Sequence, residues 1–252
     1  NTSQGIANQI SGQLNALTLN MMKALNPIIA IREGAGDRQG MIQATILGSK
    51  VSTLIMLFIF VPIWIEIPYI LKIWLTEVPV YAELFCRLLL INTLNGYIVL
   101  PVATSLAAHG DIKRYQIVTA LLYYIPLIAM LILFANGFAA YYSYITLGAH
   151  TIVSGMITLY FAYKNYQFAV SAFLKTVILR CSVVLLFMVL IASLPLQFME
   201  QSFLRLICVG FLSSITYIIS VWYIGFNAQD RVMFLNIFVS IWAKIKSMMT
   251  KG

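Results

Sequence analysis

Residues 52–65 read STLIMLFIFVPIWI, and from Ser52 to Ile65 there is no charged side chain. A second stretch, Leu121 to Phe134, reads LLYYIPLIAMLILF and is as apolar. A strand half buried in a sheet alternates apolar with polar positions, and a transmembrane barrel shows short alternating segments of about 10 residues. Neither stretch alternates, and each lies in a longer apolar segment of about 20 residues or more, enough to cross roughly 30 Å of hydrocarbon as a helix rising 1.5 Å per residue. Helices also satisfy their own backbone hydrogen bonds, which lipid cannot do for them.

The whole chain agrees with these two stretches. Of its 252 residues 61% are hydrophobic and 10% charged, and the mean hydropathy is +0.90, so too few polar groups exist to coat a water-facing surface. The fold class expected is an all-α integral membrane protein. Spans are expected at about 3 to 31, 43 to 66, 80 to 108, 113 to 135, 138 to 163, 172 to 194 and 202 to 224, seven in all. Pro68–Leu75 reads as a separate short helix at the membrane surface, and Val232–Ala243 as an amphipathic helix along the opposite surface.

Basic residues test this map, because cytoplasmic loops are enriched in Lys and Arg. One set of alternate breaks holds Arg32, Arg38, Lys113, Arg114, Lys164, Lys175, Arg231, Lys244, Lys246 and Lys251, whereas the other holds only Lys72. Ten against one places the C-terminus in the cytoplasm and Asn1 outside. The net charge of +8 then reads as topology and contact with anionic membrane lipids, with no nucleic-acid partner. The chain opens at Asn1 without Met or a signal-like segment, and the expectation is a fragment of a larger bundle.

Little points to catalysis or metal binding. Cys86, Cys181 and Cys208 are widely separated within predicted helices and have no metal-ligand spacing, so no metal or other cofactor is expected. Gly34, Gly36 and Gly40 follow a helix and lack the strand that precedes a phosphate loop, and they read as a turn. His150, Thr146, Ser154 and Thr158 share one polar helix face, read as an interior histidine with its partners.

The first helix carries the strongest functional signal. Asn8, Ser11, Asn15, Thr18, Lys23 and Asn26 fall within one arc of roughly 140°, with Ile6, Ile10, Leu14, Leu17, Met21, Leu25 and Ile28 opposite. In lipid such a stripe must face a bundle interior or a water-filled cavity, and the full charge on Lys23 favours the cavity. Lys50 lies about two turns into the second span, where either snorkelling or a cavity would accommodate it. Glu83 and Arg87 have the spacing of an intrahelical ion pair, with an anion contact from Arg87 as the alternative. Arg180 and Arg205 read as snorkelling anchors.

Several blocks together resemble a family. They are Gly5-Ile6-Ala7-Asn8-Gln9, Ala24-Leu25-Asn26-Pro27, Pro68 to Leu75 (PYILKIWL), Val78-Pro79-Val80-Tyr81, and Ile112 to Ile117 (IKRYQI). In this order they resemble the C-terminal half of bacterial polysaccharide and O-antigen flippases, of the multidrug/oligosaccharidyl-lipid/polysaccharide exporter superfamily. His109-Gly110-Asp111 departs from the uncharged or basic turn commoner there.

The resemblance implies a two-lobed transporter of the bacterial inner membrane that carries an undecaprenyl-pyrophosphate-linked oligosaccharide between leaflets without making or breaking a bond. This chain would supply the helices of the C-terminal transport lobe over 1–164, an additional helix pair over 165–226 and a cytoplasmic tail over 227–252. An N-terminal lobe would complete the cavity. The substrate-binding residues expected on this reading are Lys23, Asn26, Asn15, Lys50 and Arg87. A drug exporter or a peptidoglycan-precursor flippase of the same superfamily is the alternative, and a membrane glycan polymerase would need a larger outer loop bearing acid/base residues.

Overall fold

A computed structural model describes residues 2–232, with helices and no strand among them. The tail expected over 227–252 is described only as far as Val232, and Lys244, Lys246 and Lys251 lie outside the described residues. In chain order the helices are α1 (Thr2–Gly34), α2 (Arg38–Trp74), α3 (Ala82–His109), α4 (Lys113–Leu122), α5 (Tyr124–Ala135), α6 (Tyr142–Tyr166), α7 (Val170–Phe173), α8 (Arg180–Ala192), α9 (Pro195–Phe198) and α10 (Phe203–Ser220). One π-helical segment, Leu174–Leu179, joins α7 to α8, and another, Val221–Gly225, extends α10.

Six helical stretches among the described residues are long and apolar enough to cross a membrane: Arg38–Trp74, Ala82–His109, Lys113–Ala135, Tyr142–Tyr166, Val170–Phe198 and Phe203–Gly225. The protein is therefore an all-α, multi-pass membrane protein. The seventh expected span, α1, is long enough at 33 residues but fails on apolarity, because its amide side chains and Lys23 dilute every window. It still runs from one end of α3 to the other. Ser3 Oγ donates to Val80 O at 2.8 Å just before α3 begins, and Glu33 meets His109, the last residue of α3, at 3.0 Å.

The sequence-based break at Pro68 is absent. α2 continues through both Pro62 and Pro68 to Leu75, whose N–H caps Leu71 O at 2.9 Å. A proline removes one hydrogen bond and crowds the preceding turn, but neighbouring helices hold the rest of the ladder in place. At 37 residues α2 is about 55 Å long. The fourth span does break, at Tyr123 between α4 and α5. Pro126 has no N–H to offer Leu122 O four residues back, which accounts for the interruption.

α2 is the pillar. Leu54, Met56, Leu57, Phe60 and Val61 are all buried, and they join Leu90, Val102 and Leu106 of α3 with Val177, Val184 and Met188 around α8 in one apolar core. A smaller cluster at the other end unites Ile6 and Ala7 of α1, Ile67 and Leu71 of α2, Phe85 of α3 and Tyr144 of α6. Small residues set the closest approaches. A Cβ on Gly48 would lie 2.9 Å from Leu25 of α1, and one on Gly148 would lie 2.6 Å from Asn92 Oδ1 of α3. By contrast Leu121, Ile125, Leu127, Ile128 and Leu131 of α4 and α5 are exposed, an apolar surface suited to lipid.

Two polar clusters tie the spans together. Arg205 of α10 grips Glu66 of α2 through two hydrogen bonds, Nε to Oε1 and Nη2 to Oε2, both 2.9 Å, and Glu66 is wholly buried. Arg205 is thus an interior ion-pair partner, where the sequence had pointed to a snorkelling anchor; Arg180 is half-buried and donates to Ile224 O at 3.2 Å. At the end where α1, α3 and α6 terminate, Glu33 accepts from Arg38 at 2.6 and 2.8 Å, and the Arg38 guanidinium lies 5.8 Å from the Tyr166 ring centre.

Candidate functional site

α1 forms despite two early glycines because its remaining residues support a helix and neighbouring spans hold it. Its inward side carries Ala7, Ser11, Met22 and Ile29, all buried. At 100° per residue these positions cluster within roughly 60° of one another. Only part of the anticipated polar stripe shares this side. Ser11 is buried, and Asn15 is half-buried with its Oδ1 accepting from Tyr97 Oη of α3 at 2.9 Å.

Three other members point out of the bundle. Asn8, Lys23 and Asn26 are exposed, and Lys23 Nζ donates to Asn20 Oδ1 at 3.3 Å, with no carboxylate partner among the described residues. Three further exposed amides, Gln9, Gln13 and Asn20, extend the polar surface to a sector of roughly 80° to 220° around the helix. These three lie outside the 140° arc of the polar stripe that the sequence predicts, on the far side of Lys23. Their amide side chains in the same helix were the available signal. An outward surface of this composition, at membrane depth, is unfit for hydrocarbon, since each polar group left there costs several kcal/mol.

The five expected binding residues do not form one site. Lys23, Asn26 and Asn15 share α1. Lys50 is 2% exposed and ion-paired with Asp230, which follows the second π segment. Gly48 faces α1 through Leu25, and Lys50, two residues on, projects roughly 200° away. Neither snorkelling nor the cavity wall describes it. Asp230 is held in turn by the backbone N–H of Asn227 at 2.8 Å, so the pair closes the end of the last span onto α2.

Arg87 lies near the α1 N-terminal end of the bundle, away from Lys23. It pairs with Glu83 at 3.0 Å, and its guanidinium carbon lies 5.2 Å from the Trp64 ring centre. This is the intrahelical pair, supported by an aromatic face. Comparison of the chain with family models, curated proteins and solved structures gives no match.

Proposed function

We propose that the chain is part of a membrane transporter that carries a polyprenyl-pyrophosphate-linked oligosaccharide between leaflets by alternating access, the outward polar side of α1 forming one wall of its aqueous path. The observation that carries this reading is that side itself. Exposed Asn8, Gln9, Gln13, Asn20, Lys23 and Asn26 require water or a further polar protein surface where the helix crosses. In this reading Lys23 neutralises the pyrophosphate, amides hydrogen-bond the sugars, and a second lobe supplies the facing wall.

The charge pattern favours an anionic passenger over an organic cation. Glu66, wholly buried in α2, is already paired with Arg205, and Glu83, in the first turn of α3, with Arg87. The bacterial inner membrane and a cytoplasmic location for the Arg38–Lys113–Lys164 end belong to the same proposal, on the resemblance and the loop charges.

The test is binding to the chain in nanodiscs, with undecaprenyl-pyrophosphate-linked oligosaccharide and tetraphenylphosphonium as probes. The glycan lipid is expected to bind saturably and Lys23→Ala to weaken it about 10- to 100-fold, the value of a charge-assisted contact to phosphate. Binding of tetraphenylphosphonium alone would overturn the reading in favour of a cation exporter. Glycan-lipid binding indifferent to Lys23 would remove α1 from the path.

A further inference from the structure

A second polar feature lies between α3, α4 and α6. It is a cavity of about 490 Å³ lined by Asn92, Tyr97, Tyr115, Tyr123, His150 and Thr151, among others, and none of its lining residues is Asp, Glu, Lys or Arg. Tyr123 follows Lys113 by ten residues, about 15 Å of helix, which sets the cavity near mid-depth of the span. Polar cavities at that depth mark passenger sites in repeat-built transporters.

One group in it lacks a partner. His150 Nε2 is buried and makes no hydrogen bond among the described residues, while the exposed Tyr123 ring covers the imidazole with centroids 5.0 Å apart. Such an orphan costs free energy until a donor or acceptor reaches it. The rest of the lining is ordered and neutral. Tyr115 Oη and Thr158 Oγ1 are 3.2 Å apart, and the Asn92 carboxamide donates to Tyr144 O at 2.9 Å, keeping its oxygen toward α6.

We infer that this cavity binds a neutral sugar ring. Tyrosine faces accept the apolar face of a pyranose, and hydroxyls, a carboxamide and an imidazole match its hydroxyl groups, donors and acceptors alike. Without a fixed positive charge the site has nothing to neutralise a phosphate. It also adjoins α1, because Tyr97 lines the cavity and donates to Asn15. Asn15 and Lys23 are eight residues apart, about 12 Å along α1, and on this inference a glycan whose pyrophosphate rests at Lys23 extends its sugars past Asn15 toward the cavity. The biological ligand thus rests on the glycan-transport reading; the cavity's own chemistry does not.

The protein contains only two histidines, which makes the orphaned imidazole directly observable. The chain, labelled with ¹⁵N-histidine and carrying His109→Gln, is placed in nanodiscs and titrated with methyl glucoside, methyl galactoside and inorganic pyrophosphate. At least one sugar is expected to shift the His150 resonance saturably, pyrophosphate to leave it in place, and Tyr123→Leu, at an exposed position, to weaken the sugar response at least about fivefold. No saturable shift with either sugar, or the same shift with pyrophosphate, would overturn the inference. A sugar response unchanged in both Tyr123→Leu and Thr151→Val would do so too, by placing the sugar elsewhere. Loss of the sugar response with Lys23-dependent glycan-lipid binding intact removes this subsite alone, whereas a sugar response without lipid binding retains it and removes the transport reading.

Discussion

Glu66 and Arg205 are the most consequential pair of residues inside the bundle. Both are buried, and both carboxylate oxygens and two guanidinium nitrogens are satisfied. Removing one partner strands a charge, so Glu66→Ala is expected to destabilise the protein by about 3–5 kcal/mol, measured as the shift of the denaturation midpoint in micelles. The Glu66→Met/Arg205→Met double substitution is expected to recover most of that loss, since apolar replacement of a whole buried pair is commonly neutral or better. A double substitution as unstable as the single one would show that the pair orders more than its own charges. This pair was not legible in the sequence: 139 positions separate its members, and Arg205 by itself resembles any arginine near a helix end. Lys50 and Asp230, 180 positions apart, escaped for the same reason. Glu83 and Arg87 were legible because four residues fix their geometry without help from the fold.

Among the elements, the four helix ends gathered around Glu33 behave as one clasp. Glu33 closes α1, Arg38 opens α2, His109 closes α3, and Tyr166 of α6 lies under Arg38 and 2.6 Å from Ser105. Burial works to raise the Glu33 carboxyl, but hydrogen bonds from His109 and Arg38, with their charges, outweigh it and hold it below the ordinary 4.5. A carboxyl depressed in the folded state contributes stability that is complete above its unfolded value and is lost as pH falls through its folded value. The thermal midpoint is therefore expected to drop below about pH 4.5, and Glu33→Gln to flatten that part of the profile. An unchanged acid limb in Glu33→Gln would assign it to other carboxylates. The elements themselves were largely legible, because long apolar runs allow few alternatives. Pro68 misled, since a proline stops a helix that stands alone more reliably than one held by α1, α3 and α10.

At the scale of the whole molecule, the asymmetry of basic residues predicts which end faces the cytoplasm. In a background with Cys86, Cys181 and Cys208 replaced, an impermeant maleimide applied to intact cells is expected to label Asn136→Cys and to spare Asp111→Cys until the cells are opened. The reverse pattern would invert the topology. The polarity of α1 was legible from composition, yet its direction was not. Periodicity locates a stripe on a helix, whereas the positions of α2 and α3 decide which side turns inward, and here the two centres differ by roughly 60°. That same helix bears on how the protein comes into being. A lysine at the centre of a helix opposes insertion by about 2.5–3.5 kcal/mol, and the amides around Lys23 add to it, so the translocation channel gains little by releasing α1 into lipid alone. α1 is therefore expected to settle in the bilayer only with protein partners beside it, α2 and α3 among them, so that its insertion is a step in assembling the bundle and not one that precedes it.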